Sequence, residues 1–261
     1  MNRRVSPLVT TVRRTSLSIL MSATAFTAAL SGQSLPAFEV EVEAGAVWQT
    51  RNDVQVPNDL LGTRFSLVKT LGRGPWPAAR LSLTWNVSEH HGVRVLVAPL
   101  SVSGSGTLNA PVDFAGQSFT PGTDVFGTYQ FNSYRLTYRY LFSRGERLDL
   151  RVGFTAKVRD AKIELQQAAV TARDTDVGFV PLLHLAADWR FALRAHLSFD
   201  LDGIAGGPGR AFDVALKAGY DVTRRWRVSG GYRTVEGGAN VSSVFAFAWL
   251  HYGVVGVRYL L

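Results

Sequence analysis

The chain has no cysteine, and past its first thirty residues it has no long apolar run. The first absence leaves neither a disulfide framework nor an N-terminal cysteine to lipidate. The second leaves no candidate for a membrane-spanning helix, which needs about 20 largely apolar residues in succession. Histidine is sparse: His90, His91, His184, His196 and His251 are the whole set, and their spacing fits no metal-ligand pattern. No phosphate-binding, dinucleotide-binding or nucleophile-elbow sequence occurs, and Gly206-Gly207-Pro208-Gly209 reads as a loop turn. No cofactor and no metal are therefore expected.

The first 34 residues read as a Sec-type signal peptide. Arg3, Arg4, Arg13 and Arg14 form its basic start, and Leu17 to Leu30 its apolar stretch. Small residues follow, with cleavage expected between 31 and 37. The Arg13-Arg14 pair hints at a twin-arginine signal, but Ser16 stands where an apolar residue belongs. That route also carries folded proteins, which disfavours it for a chain with a greasy exterior. Removing these four arginines from the formal charge of +8 leaves +4, too little to argue for a nucleic-acid partner.

From residue 35 to 261 the dominant signal is alternation. In Phe212-Asp213-Val214-Ala215-Leu216-Lys217-Ala218-Gly219-Tyr220-Asp221 every second residue is apolar, and the others include Asp213, Lys217 and Asp221. The pattern recurs over ten segments, at about 38–50, 78–87, 93–103, 129–142, 148–160, 177–190, 194–203, 211–221, 226–236 and 245–259. Most match the 9–11 residues a tilted strand uses to cross hydrocarbon. Lipid offers no partner for open backbone groups, so a spanning sheet must close. The fold class expected is all-β: a transmembrane antiparallel up-and-down β-barrel of ten strands with a polar lumen, or eight strands if two segments merge. Short connections at 88–91, 143–147, 191–193 and 222–225 fall at the periplasmic end. Long ones at 52–77, 104–128, 161–176, 204–210 and 237–244 fall outside. Aromatics flank the apolar band, with Trp85, Trp189, Tyr220 and Trp226 at one end and Trp48, Tyr134, Phe179 and Tyr232 nearer the other.

The export signal, the alternating strands and the ending Val255-Gly256-Val257-Arg258-Tyr259-Leu260-Leu261 resemble small outer-membrane β-barrel proteins of the OmpA-like and OmpW-like kind. The resemblance is one of pattern across the mature chain. Members usually end in phenylalanine, whereas this chain ends in Leu261. The resemblance implies a bacterial outer-membrane location, contact with membrane lipid and lipopolysaccharide, and handling by the barrel-assembly machinery.

The opposite face of each strand is charged. Glu41, Arg139, Arg151, His184, Asp188, His196, Asp200, Asp213 and Arg233 are expected to form a charge network in the lumen. Taking 191–193 as a turn puts Asp188 opposite His196 and His184 opposite Asp200, with Ser198 diagonal to His184. That grouping reads either as cross-strand stabilisation or as a nucleophile triad, and the first is preferred. Taking 222–225 as a turn puts Tyr220 opposite Trp226 and Asp213 opposite Arg233. In the first two long connections Asn52, Asp53, Arg64, Phe114 and Phe119 are candidates for loop binding or for a self-packed cap. The function expected is non-enzymatic: a structural or envelope role, or a narrow passage for small solutes. The alternatives are an outer-leaflet enzyme acting on lipid or peptide, and a loop-based receptor or adhesin.

Overall fold

The computed structural model describes residues 38–261, so the export segment lies outside the described residues. Ten antiparallel strands close into one barrel: β1 (Phe38–Gln55), β2 (Trp76–Asn86), β3 (His91–Ala98), β4 (Asp124–Arg144), β5 (Leu148–Gln167), β6 (Val170–Arg190), β7 (Ala195–Gly206), β8 (Gly209–Asp221), β9 (Trp226–Val241) and β10 (Val244–Leu260). Each pairs with its sequence neighbour, and β10 pairs with β1 from Glu39 opposite Leu260 to Gln55 opposite Phe245. The seam removes both free edges, which a sheet in lipid requires. The count is ten, not eight.

Outside the barrel ring, Ser101–Thr107 continues β3 along the same face of β4 after a break at Pro99-Leu100. Proline has no N–H to give the ladder, so the strand breaks where Pro99 stands. A two-residue bridge at Phe65–Ser66, a single helical turn α1 (Leu67–Leu71) and a small hairpin (Val112–Phe114 with Gln117–Phe119) complete the elements.

The strands run further than alternation alone suggested. Three of the five long connections are tight turns at 168–169, 207–208 and 242–243, because β5, β6, β7, β8, β9 and β10 extend into them. Polar residues in those extensions reflect strand leaving the apolar band, not chain leaving the sheet. Asn52 and Asp53 likewise lie in β1. A bulge between Gln49 and Arg51 reverses which side chains face inward, so Gln49 and Asn52 are both buried.

Outward-facing Leu81, Leu83, Leu136, Phe154, Leu183, Leu185, Leu216 and Val255 are exposed and form an apolar belt. Phe38, Trp85, Tyr140, Trp189, Tyr220 and Trp226 ring it at the end holding the chain termini. Trp48, Tyr134, Phe179, Tyr232 and Trp249 ring it at the far end.

The alternation predicts a polar lumen, but the interior is polar in only part of its length. Its far half is an apolar core in which Leu67 and Leu71 of α1 and Phe114 and Phe119 of the hairpin pack on Val54, Val102, Val125, Leu165 and Leu250. Phe114 and Phe119 are therefore buried plug residues and not loop contacts. Gly106 makes room for α1: a Cβ there would lie 2.7 Å from the Thr70 carbonyl oxygen. Gln49 closes the arrangement from the wall by donating to the Gly72 carbonyl at 2.7 Å.

Candidate functional site

Beneath the plug, charged side chains from nearly every strand converge. Asp213 on β8 receives three arginines: Arg80 of β2 at 2.9 Å, Arg135 of β4 at 2.6 Å and Arg233 of β9 at 2.6 Å. Arg233 also holds Glu43 at 3.0 Å, and Lys217 bridges Glu43 at 3.0 Å and Glu41 at 2.5 Å. Arg258 meets Glu41 at 3.0 Å. On the adjoining strand β7, Asp200 takes a forked pair from Arg94 at 2.7 and 3.3 Å, and Asp202 is reached by Arg135 at 2.9 Å. Asp202 is also held by His184 Nδ1 at 2.8 Å and by the Thr155 hydroxyl at 2.9 Å. In a low-dielectric interior such pairs are sustained only with nearly complete hydrogen bonding, and this set has it for its carboxylates.

A second, more open cluster sits at the mouth nearest the termini. His196 contacts Asp188 at 3.0 Å and Asp221 at 2.5 Å, and Arg227 contacts Asp221 at 2.7 Å and Asp188 at 3.2 Å. Arg151 lies 3.8 Å from Asp149. Arg139 lines the same interior, with its Nε buried and unpartnered among the described residues. Between the two clusters the enclosed space is only about 70 Å³, lined by Glu41, Arg94, Arg139, Asp200 and Lys217 among others. That is room for a few waters and no more.

Both turns used to set the register are one residue pair longer than supposed. The 191–194 turn places His184 opposite Asp202 and Asp188 opposite Ser198, and Arg190 opposite His196. The 222–225 turn places Asp213 opposite Val235 and Tyr220 opposite Val228. His184 thus meets Asp202 and not Asp200. Ser198 is not diagonal to it; its hydroxyl donates to the Lys217 carbonyl at 3.3 Å. The Ser–His–Asp grouping does not exist. The Asp213–Arg233 and Asp188–His196 contacts are diagonal ones, within reach of long side chains. His184, Asp200 and Asp202 offer ligand atoms within 4.8 Å of one another, but Arg94 and Arg135 already occupy the carboxylates, so the set is an ion-pair node.

The loop candidates scatter. Asn52 is buried and donates to Gln49 Oε1 at 2.9 Å, and Asp53 pairs with Arg51 at 2.8 Å. Arg64 lies over the Phe245 ring at 3.6 Å and donates to Gln55. None of these gathers with another around an open space.

The feature that strand-by-strand reading does not reach is a second cavity of about 450 Å³ on the far side of the charge cluster. It is lined largely by apolar residues of β4 to β10. The one local signal for it is Pro181, a proline within a strand-like run.

The chain matches no protein-family model and no curated protein. Among solved structures it is similar to the outer-membrane protease OmpT of Escherichia coli, at 12% identity and a TM-score of 0.49 over 86% of this chain and 97% of that one. It is similar to the outer-membrane protein AlkL, at 12% identity and a TM-score of 0.44 over 90% and 95%. Ail of Yersinia pestis gives 9% identity and a TM-score of 0.37 over 85% and 98%. The ten-stranded closed architecture is that of a small outer-membrane β-barrel, and these likenesses assign it no activity.

Proposed function

We propose that this chain is a non-enzymatic barrel of the bacterial outer membrane whose axial route is shut. In this reading a Sec-type signal in residues 1–34 exports it, and the barrel then sits among lipid and lipopolysaccharide after insertion by the assembly machinery. The observation that carries the reading is the interior charge cluster. Arg135 and Asp213 join non-adjacent strands at 2.6 Å, and the space left around the cluster is about 70 Å³. The plug of α1 and the small hairpin packs inside the barrel beyond it. Such a barrel contributes to the envelope as a wall and anchor and does not work as a general diffusion pore.

The test is single-channel recording of the refolded protein in a planar bilayer. Long stretches without steady conductance are expected. Stable ohmic steps of the size an open ten-stranded pore gives would overturn the reading.

A further inference from the structure

The wall of the barrel is not complete. β6 and β7 pair only from Leu183 opposite Gly203 down to Arg190 opposite His196. Beyond that point β7 pairs only with β8 through Ile204, Ala205 and Gly206, while β6 pairs only with β5 up to Val170. Continuing the register would set Pro181 opposite Ala205, and proline has no N–H to contribute. The two strands therefore part near the Phe179 ring of aromatics, leaving a notch in the wall at that level.

The 450 Å³ cavity lies behind the notch. Its lining takes in Val180, Pro181 and Leu182 from one lip and Ile204 and Gly206 from the other, together with interior residues such as Tyr129 and Leu250. Its size is that of a small-molecule site. Four cations line it: Arg135, Arg159 and Arg210, each paired with a carboxylate, and Lys157. Lys157 is cross-strand neighbour to Val180, 4% exposed, and its ammonium lies 4.7 Å from the centre of the Phe131 ring. The cations buried as deeply, Arg80, Arg135, Lys217 and Arg233, each have a carboxylate within 4 Å, but Lys157 has neither an ion pair nor a hydrogen bond among the described residues. The Tyr129 hydroxyl, in the same lining, likewise makes no hydrogen bond there. A buried ammonium without a counter-ion is strongly disfavoured, whereas an anion beside it would be held by charge and hydrogen bonding together.

We propose that the cavity binds a single-chain anionic amphiphile of the fatty-acid type. Its carboxylate pairs with Lys157, and its hydrocarbon chain lies along the apolar lining and leaves through the notch between β6 and β7. This goes beyond the axially closed barrel. A conducting barrel would contradict that reading without touching the present one, since binding is read separately from conductance.

The experiment uses the protein purified from outer membranes and placed in phosphatidylcholine nanodiscs, titrated with oleate labelled with ¹³C at its carboxyl carbon. Saturable binding of one oleate per barrel is expected, with a shifted carboxyl resonance. Lys157→Met should weaken it at least tenfold, Lys157→Arg should retain it, and Ala205→Trp in the notch should abolish or slow it. Oleyl alcohol should bind wild type at least tenfold more weakly than oleate. Oleate that only partitions into lipid, or binds Lys157→Met as well as wild type, would overturn the proposal. If Lys157→Met does not fold, the oleate-to-oleyl-alcohol ratio on wild type decides: equal affinities overturn the proposal and a tenfold preference supports it.

Discussion

Arg135 reaches from β4 to β8 and holds Asp213 at 2.6 Å while its other amino group holds Asp202 at 2.9 Å. Asp202 and Asp213 are direct cross-strand partners on β7 and β8, so two like charges face each other on one wall. Like charges in that relation repel. The guanidinium from the opposite wall makes the arrangement tenable and ties the two sides of the barrel together.

Arg135→Ala should therefore cost more than an ordinary interior truncation. Two adjacent acids would be left with fewer partners, and breaking a buried pair typically costs about 3–5 kcal/mol. Urea unfolding in lipid vesicles measures the loss. Conductance steps, absent in the parent, should appear in the same variant. A stability within about 1 kcal/mol of the parent would show that Arg80 and Arg233 suffice for Asp213, and His184 and Arg94 for Asp202.

The plug should be separable from the barrel. Phe114 is fully buried but belongs to the small hairpin, not to the ring of strands. Phe114→Ala should cost about 3 kcal/mol in the plug, in the range of other phenylalanine truncations. The barrel should still resist SDS at room temperature and shift its gel mobility on boiling. Loss of that heat-modifiable band would mean that the plug is needed to form the wall.

The barrel was legible from sequence because lipid imposes a period of two on every strand, and Phe212 to Asp221 shows it without ambiguity. Strand ends were less legible. Beyond the apolar belt the outer face of β5 and β6 turns polar while Ile163, Leu165 and Ala172 point into the core, so Lys162, Glu164 and Arg173 look like loop although they sit in paired strand. Register was legible to within two residues: alternation fixes the face of Asp213 and Arg233, but a turn longer by one pair leaves the same faces inward. The plug escaped because burial by distant chain has no local period. Phe114 and Phe119 flank a turn at Ala115-Gly116 and carry no mark of the wall they fill. The notch escaped because a missing ladder is a relation between strands, of which Pro181 is the only local trace.

Topology can be read from labelling. Leu60 is fully exposed in the connection between β1 and β2, and Glu89 lies in the short turn between β2 and β3 at the opposite end. With the termini on the periplasmic side, a membrane-impermeant maleimide on intact cells should modify Leu60→Cys and spare Glu89→Cys. The native chain has no cysteine to confuse the result. The reverse pattern would invert the barrel.

The exterior should set whether the chain folds at all. Leu216 is mid-strand in β8, faces outward and is 49% exposed, while its neighbour Ala215 faces inward and is 1% exposed. An arginine at 216 would sit in hydrocarbon and should cost about 2–4 kcal/mol near the midplane. Alternation alone suggests that arginine at 215 would be milder, received by water and acids. The packing reverses that expectation: Ala215 lies opposite both Asp200 and Arg233, whose side chains already fill the interior, so Ala215→Arg adds crowding to like charge. Leu216→Phe keeps the exterior apolar and should be nearly neutral. Refolding yield into vesicles, read by heat-modifiable mobility, should rank parent and Leu216→Phe above Leu216→Arg, with Ala215→Arg no better than the last. The same ranking could arise in a water-soluble fold only if residue 216 were buried by protein. The control is therefore solvent: without detergent or lipid every variant, the parent included, should remain aggregated. A monodisperse, folded parent in plain buffer would show that the apolar belt meets protein and not membrane.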